Sequence, residues 1–444
     1  MLDIVILAAG MGTRMKSKLP KVLHPVAGRP MILQVIATAE LLNPSNNVIV
    51  IGHGADKVRE IVGEAALFAF QAQRLGTGHA VMQARAALEN SGAETVLVLY
   101  GDTPLTRAET LQDAISHHQK HKAAVTLLSF LPDDSTGYGR VIRNEGGVVI
   151  GIVEHKDATE KQRAIRESNS GIMLFDGPWL WQNLARLTLS PQGEYYLTDM
   201  PGLAVAQGRR VEGLVVDERE VMGVNNRVQL AQASQQLWAR RRETFMLSGV
   251  TMIDPNTVWI DADVTIGRDT IIHPNVVLRG TSTIGENCEI GPHSVLENAT
   301  LADGGRVNQS QVINSTLGKD VSVGPFAIIR GGSVLSEGVH VGAGAEINRS
   351  RLGAHCTMSH FSYLGDATSG ARVNVGAGTI TCNYDGKEKN STQIGDHVFL
   401  GSDTLLVAPV TIGEHARTGA GAVITRDVAA EETVIGVPAR PLDK

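Results

Sequence analysis

The stretch Ile260 to Leu296, IDADVTIGRDTIIHPNVVLRGTSTIGENCEIGPHSVL, decides the fold of the C-terminal half. Ile260, Ile266, Ile272, Leu278, Ile284, Ile290 and Leu296 recur at a spacing of six without a slip. The register resumes at Leu317, Val323, Ile329, Leu335, Val341 and Ile347, again at Ile394, Leu400, Leu406 and Ile412, and then at Ile424. Small or β-branched residues stand four positions on from most of these: Val264, Thr270, Val276, Ser282, Cys288 and Ser294. Neither the helical period of 3.6 nor the strand period of 2 produces this pattern. One inward apolar side chain per six residues describes a short flat face. Three such faces close a triangular coil of about eighteen residues, the hexapeptide β-helix. Two intervals, Leu301 to Thr316 and Asn348 to Gln393, lose the register and are expected to be breaks, where loops and chemistry collect. The repeat alone assigns no activity, because such prisms also serve as passive oligomerisation modules.

Whole-chain properties narrow the classes. At 444 residues the chain has room for two or three domains, each with a sizeable core. Forty basic against 46 acidic residues give no support for nucleic-acid binding. Cys288, Cys356 and Cys382 are too few and too scattered for a disulfide framework or a metal knuckle, which fits a reducing compartment. The N-terminus enters an apolar strand with no signal-peptide pattern, and no apolar run approaches membrane-spanning length. A soluble cytoplasmic protein with no membrane partner is expected.

From Met1 to about Arg227 strands and helices alternate, which predicts an α/β domain with a mostly parallel sheet. Val48 to Gly52 and Thr95 to Tyr100 read as buried strands, and Met31 to Leu42 and Ala80 to Leu88 as helices. Ligands of such sheets collect beyond the carboxyl ends of the strands. There the apolar run Ile4 to Leu7 opens into Ala8, Ala9, Gly10, Met11 and Gly12, followed by Arg14, Lys16, Lys18 and Lys21. Unhindered amides beside four cations are what a polyphosphate requires. Tyr100, Gly101 and Asp102 end another strand, and a carboxylate in that position suits Mg²⁺. Gln71 and the tight Gly76, Thr77, Gly78 are placed to hydrogen-bond a base. Gly137 to Arg140 precede a hairpin-like segment with Glu154 at its far end; Asn169 lies in Ser168 to Ile172, and Gly223 to Asn226 close the domain. Each residue taken singly also reads as an ordinary turn or cap. The Gln-, Ala- and Arg-rich run from Asn226 to Gly249 predicts one long connecting helix, its Arg240, Arg241 and Arg242 on a solvated or interdomain face.

The string Gly10-x-Gly12-Thr13-Arg14-Met15, followed by Leu19, Pro20 and Lys21, resembles the signature of the sugar-nucleotide pyrophosphorylases. It is neither the dinucleotide fingerprint nor a phosphate loop ending Gly-Lys-Ser/Thr. The stretches GIVEHKDAT (Gly151 to Thr159), GEYYLTD (Gly193 to Asp199), GVNNR (Gly223 to Arg227) and VNVGAGTITCNYDG (Val373 to Gly386) extend the likeness over the whole chain. They are similar to the bacterial bifunctional N-acetylglucosamine-1-phosphate uridylyltransferase/glucosamine-1-phosphate acetyltransferases. That resemblance implies a Rossmann-like uridylyltransferase domain over residues 1–227, a helical linker over 228–248, and a left-handed parallel β-helix acetyltransferase domain over 249–444, assembled as a homotrimer. It implies acetyl transfer from acetyl-CoA to glucosamine 1-phosphate, then uridylyl transfer from UTP, supplying a precursor of the cell wall and lipopolysaccharide. Carried over residue by residue, UTP and the UDP-sugar fall to Leu7, Ala8, Ala9, Gly10, Lys21, Gln71, Gly76, Thr77, Tyr100, Gly101, Asp102, Gly139, Glu154, Asn169 and Asn225. Mg²⁺ falls to Asp102 and Asn225, with Arg14 balancing charge on the phosphates. The pattern His-x-x-Tyr-x-Gly-Asp at His360 to Asp366 implies His360 as general base. Arg330, Asn348, Tyr363 and Asn374 take the glucosamine 1-phosphate positions; Ala377, Asn383, Tyr384, Ser402 and Ala420 take those of acetyl-CoA.

Several positions depart from the family. Asn348 stands where the family has a lysine, with Arg349 beside it; Thr357 replaces a second lysine, and a coenzyme A-binding arginine near the C-terminus is absent. Losing a cation that faces a phosphate costs ~1.5–3 kcal/mol. The competing reading is therefore a uridylyltransferase whose β-helix only trimerises or regulates. Seven histidines lie in this half (His273, His293, His340, His355, His360, His397, His415), and a three-histidine metal site of the kind related prisms hold competes for them.

Overall fold

The computed structural model describes residues 1–441 and divides into two compact units, Met1–Leu237 and Trp238–Lys444. The helix Arg227–Leu247 carries the chain from the first to the second.

In the first unit a nine-stranded sheet runs in the order Val211–Val215, Val125–Phe130, Ser168–Asp176, Thr95–Tyr100, Leu2–Leu7, Asn46–Ile51, Leu67–Phe70, with the hairpin Arg140–Arg143 and Val149–Val153 attached at Ser168. Pairing along the path is parallel except at Ser168–Asp176, which runs against both neighbours. Strands buried on both faces must be apolar throughout, and Leu2–Leu7 shows the division. Val5 and Leu7 join the core under the helix Thr77–Leu88. Ile4 and Ile6 join the core under the helices Met31–Glu40 and Ala108–His121. The helix expected from Ala80 begins at Thr77, where Gly76 turns the chain with φ 96°. The one expected over Met31 to Leu42 ends at Glu40.

The second unit stacks three parallel sheets of twelve, ten and nine strands around one apolar core. Ile266 pairs with Ile284, Ile272 with Ile290 and Leu278 with Leu296, so one coil spans three hexapeptides. The residues four positions on are buried as well. Their small polar groups close onto the backbone: Thr270 Oγ1 donates to Gly285 O at 2.9 Å and Ser282 Oγ to Arg279 O at 2.7 Å. Between the flats the chain bends through left-handed residues, among them Asn275 (φ 61°), Asn287 (54°), His293 (59°), Asn298 (47°), Asn314 (48°), His397 (57°) and His415 (57°). Asn, Asp and His tolerate this region better than other side chains. This explains their concentration at the corners.

Neither expected break interrupts the coil. Across Leu301 to Thr316 the ladder continues as Ile284–Leu301, Ile290–Val307, Leu296–Val312 and Leu301–Leu317. The repeat is lost because Leu301 follows Leu296, Val312 follows Val307 and Leu317 follows Val312 by five residues rather than six; three corners are one residue shorter and the flats stay in register. Within Asn348 to Gln393 the same shortening occurs at Leu352, and Ser369 and Thr381 fill inward positions usually taken by aliphatics. The one excursion there lies between Cys382 and Thr392 and is closed by a bridge between Tyr384 and Lys389. The arginines of the connecting helix also differ from expectation. Arg242 is buried and donates to Val258 O at 3.0 Å, and Arg241 donates to Val264 O at 2.7 Å, so both fasten the helix to the first coil.

Candidate active sites

Beyond the carboxyl ends of Leu2–Leu7 and Thr95–Tyr100 lies a cleft of about 440 Å³. Leu7, Ala8, Ala9 and Gly10 form one wall, and Gln71, Gly76 and Thr77 another. Lys21, Tyr100, Asp102 and Glu154 complete the lining among the residues predicted from sequence. Nothing stands within 4 Å of a Cβ added at Gly10, so the space above this residue is open. Gly12 has φ 62°, and a Cβ there would lie 2.5 Å from Lys21 Cβ. The loop thus depends on glycine to bring the Lys21 chain under it.

Lys21 is the hub. Its ammonium pairs with Asp102 Oδ2 and donates to Asn225 Oδ1 at 3.1 Å, and Arg14 donates to the same Asn225 oxygen at 2.9 Å. The Asp102 carbonyl accepts from Val224 N at 2.8 Å, and Gln229 Oε1 accepts from Asn225 N at 2.8 Å. Carboxylate and carboxamide oxygens thus converge on one cationic point. Hard oxygen donors around a shared positive charge are a donor set that fits Mg²⁺.

The wall formed by Gln71, Gly76 and Thr77 is fixed by hydrogen bonds. Gln71, almost fully buried, donates to Gly76 O at 3.2 Å and meets His79 Nδ1 at 3.1 Å. A Cβ at Gly76 would fall 2.6 Å from Tyr195 O, and Thr77 Oγ1 accepts from Leu197 N at 3.1 Å. Burial raises the Tyr100 hydroxyl well above its ordinary range, with Asp102 and Glu154 adding to the effect. Burial likewise raises the Glu154 carboxyl, opposed by the bond Thr198 Oγ1 donates to Glu154 Oε1 at 2.8 Å. Glu154 is therefore a carboxylate held against its solvation cost, a state that favours a hydroxyl-bearing partner.

Gly101, Gly139, Asn169, Asn225 and Arg14 do not line the cleft but support it. A Cβ at Gly101 would press on Ile32 at 2.9 Å, and one at Gly139 would reach Glu154 Oε2 at 3.6 Å. Asn169 donates its N–H to Gly139 O at 2.9 Å where the strand Ser168–Asp176 shifts register. Arg74, Glu194 and Tyr196 line the cleft and were not predicted. The last two belong to GEYYLTD, which carried the resemblance without any role assigned to its members.

In the second unit a groove of about 510 Å³ gathers His360, Asn374, Ala377, Ser402 and Ala420. Thr357, Asn374, Phe399 and Arg417 are in register on successive coils. His360, Ala377, Ser402 and Ala420, three residues further on, therefore stack at one corner. Thr357 Oγ1 donates to Asn374 Oδ1 at 3.2 Å.

Arg330, Asn348, Tyr363, Asn383 and Tyr384 lie outside this groove. Arg330 is in register with Asn348, and Asn348 with Gly365. The Tyr363 hydroxyl and Asn383 Nδ2 both crowd the space over Gly365, 2.4 and 2.7 Å from a Cβ built there. Tyr384 is exposed on the excursion and donates to Gly386 O at 2.9 Å. Both arginines are engaged: Arg330 with Glu346 at 2.7 Å, and Arg349 with Asp366 through two bonds of 2.6 and 2.8 Å. The bonds from Arg349 hold the Asp366 carboxyl below its usual range. Asn348 is buried and its Oδ1 has no hydrogen-bond partner. Among the described residues, no three of the prism's histidines converge within one chain to form a metal site.

Comparison with known proteins covers both units. Residues 4–138 match the MobA-like NTP transferase domain, residues 253–367 the GMPPB C-terminal domain, and residues 391–426 the bacterial transferase hexapeptide model of six repeats. The chain is 48% identical over 439 residues to the bifunctional protein GlmU of Stutzerimonas stutzeri, covering 98% of this chain and 96% of that one. It is 48% identical over 432 residues to that of Heliobacterium modesticaldum (96% and 93%), and 46% identical over 426 residues to that of Brevibacillus brevis (96% and 92%). The fold expected from the sequence, a nucleotidyltransferase domain joined to a left-handed parallel β-helix, is the one observed.

Proposed function

The chain belongs to the bifunctional GlmU family, and on that premise we propose which of its residues carry the two reactions. The protein is a bifunctional transferase. It moves acetyl from acetyl-CoA to glucosamine 1-phosphate, and uridylyl from UTP to N-acetylglucosamine 1-phosphate with release of pyrophosphate.

The convergence of Lys21, Arg14, Asp102 and Asn225 beside the open amides of Ala8 to Gly10 carries the assignment of the first site. Uridylyl transfer is an in-line attack by the sugar phosphate, so the protein's task is positioning and charge neutralisation. Gln71, Gly76 and Thr77 hold the base, and Arg14 and Lys21 neutralise charge developing toward pyrophosphate. Gly139, Glu154 and Asn169 orient the sugar. Asp102 and Asn225 would hold Mg²⁺, which would supply positive charge against the phosphates.

In the prism His360 accepts the proton of the attacking amine while Ala377, Ser402 and Ala420 line the acetyl-CoA corner with Asn383 and Tyr384. Arg330, Asn348, Tyr363 and Asn374 take the sugar phosphate. On a single chain these residues divide between a corner and the adjoining face, which supports a homotrimer whose sites are completed by a neighbouring copy. No helix among the described residues is long and apolar enough to cross a membrane, and a cytoplasmic location follows from the substrates. Residues 1–227 supply uridylyl transfer, 228–248 the linker and 249–444 acetyl transfer.

The test supplies acetyl-CoA with glucosamine 1-phosphate, then UTP with Mg²⁺, and measures free thiol and pyrophosphate separately. His360→Ala should lower thiol release by about 10²–10⁴-fold, the usual contribution of a general base, and leave pyrophosphate release from UTP and directly supplied N-acetylglucosamine 1-phosphate unchanged. Thiol release that survives intact in this variant would remove His360 from the mechanism.

A further inference from the structure

A second cluster of ligating side chains lies away from both sites. His117 and His121 occupy successive turns of the helix Ala108–His121, and Glu212 sits on the edge strand Val211–Val215. The three can each bring one ligand atom within 4.8 Å of the others. His117 Nε2 is 3.1 Å from Glu212 Oε2, and the two imidazole rings are 4.1 Å apart, tilted by 40°. From this geometry we propose that His117, His121 and Glu212 form a binding site for a divalent transition-metal ion of the Zn²⁺ type, distinct from the Mg²⁺ position of the nucleotide cleft.

Four observations support it. Residues four apart on a helix share a face, so both imidazoles reach the same point above the strand. His121 Nδ1 lies 3.0 Å from His117 O, and a carbonyl only accepts. Nδ1 therefore carries the proton and Nε2 keeps its lone pair, as an outer hydrogen bond does for a ligating histidine. Glu212 is already served by Arg210, whose Nε donates to Oε1 at 2.5 Å, and by His117 on Oε2. An ordinary ion pair therefore gains nothing from the approach of a second ring. The neighbouring His118 faces the core instead, bonded to Thr126 at 2.8 Å and lowered by burial to about 4, so it does not compete.

Location separates this site from catalysis. Val211 pairs with Val125, so Glu212 lies near the amino end of a strand parallel to Val125–Phe130, whereas the nucleotide cleft lies beyond the carboxyl ends of Leu2–Leu7 and Thr95–Tyr100. Two imidazoles and one carboxylate, with a fourth position open to water, suit Zn²⁺ and disfavour Mg²⁺. Bound there, the ion ties the edge strand to the helix that covers it.

The experiment uses the full-length protein stripped with chelator, titrated with ZnCl₂ by calorimetry and followed by thermal melting. The wild type should take up one more Zn²⁺ per chain than His121→Ala or Glu212→Gln. Zn²⁺ at a hundredfold excess over its Kd should raise the first unit's Tm by about 5–10 °C, with no rise in either variant. MgCl₂ at the same concentration should produce no shift at this site, and Mg²⁺-dependent pyrophosphate release should be unchanged in His121→Ala. If His121→Ala melts early without metal, His117→Gln provides the comparison. Equal zinc uptake and an equal shift in wild type and variants would overturn the proposal, as would an Mg²⁺-induced shift of the same size that both variants lose.

Discussion

Lys21 and Asn225, 204 residues apart in the chain, meet at 3.1 Å through Nζ and Oδ1. The same ammonium pairs with Asp102, so one positive charge bridges the two oxygens assigned to Mg²⁺. Asp102→Asn should keep the melting temperature of the wild type, since the carboxylate faces the cleft and supports no core. It should cut Mg²⁺-dependent pyrophosphate release by more than about 10²-fold, because even outer-shell partners of a metal are worth 10–100-fold. Near-normal turnover would place the metal elsewhere.

Glu154→Gln separates binding from stability. Loss of a charged hydrogen-bond partner should raise the KM for N-acetylglucosamine 1-phosphate about ten- to a hundredfold. The effect on stability has the opposite sign. Burial holds the folded-state Glu154 pKa above the unfolded value, so its contribution is favourable below the unfolded pKa and is lost as pH rises through the folded one. The variant should therefore melt above the wild type at pH 7, with the difference gone near pH 4. An equal gain at both pH values would mean that the charge is not its source.

Asn348→Lys introduces the cation that the family resemblance implies at this position. Arg349 is held by Asp366 and Arg330 by Glu346, so neither stands free to replace it. The variant should lower the KM of acetylation for glucosamine 1-phosphate about tenfold or more, a charge-assisted bond being about twice as strong as a neutral one, with uridylyl transfer untouched. An unchanged KM would show that position 348 does not face the phosphate.

Where the chain is cut should matter. Ala233 is buried, and Leu230 and Leu237 pack with Val26, Met31, Leu105 and Val224. A protein ending at Leu237 should fold and transfer uridylyl at the parent rate. Ending at Arg227 removes this packing, worth about 2–4 kcal/mol, and also removes Gln229, which anchors Asn225. That shorter chain should melt lower and transfer uridylyl more slowly. Equal stability and rate for the two would show that the helix contributes nothing to the first unit.

The sequence was most legible where a period or a contact motif was complete. Seven apolar residues at a spacing of six were enough to define the prism, because neither a helix nor an ordinary strand repeats an inward aliphatic every six residues. The two apparent breaks misled because a corner can drop a residue without moving the flats, which a count along the chain cannot distinguish from a loop. In the nucleotide domain the successive motifs named most of the cleft lining, but not Arg74, Glu194 or Tyr196, nor that Lys21 joins Asp102 to Asn225. Contacts across 81 and 204 residues leave no local pattern. Arg242 was placed on a solvated or interdomain face because a charged run on a helix usually lies there. Its burial against Val258 follows from the first coil, which the helix sequence does not contain. The cluster at His117, His121 and Glu212 escaped for the same reason, its third member lying on a strand 95 residues from the first.

The left-handed corners of the prism also set its mutational spectrum. Valine or isoleucine belongs on the flats, where β-branched side chains pack well, but at Asn275, Asn287, Asn298 or His415 the same residue meets a backbone with φ near 50–60° that it strongly resists. A saturation scan of residues 260–310 should therefore return two interleaved combs of opposite preference. Their teeth would stay evenly spaced through the first coils and step by one residue at Leu301, so that tolerance to substitution alone would locate the shortened corner.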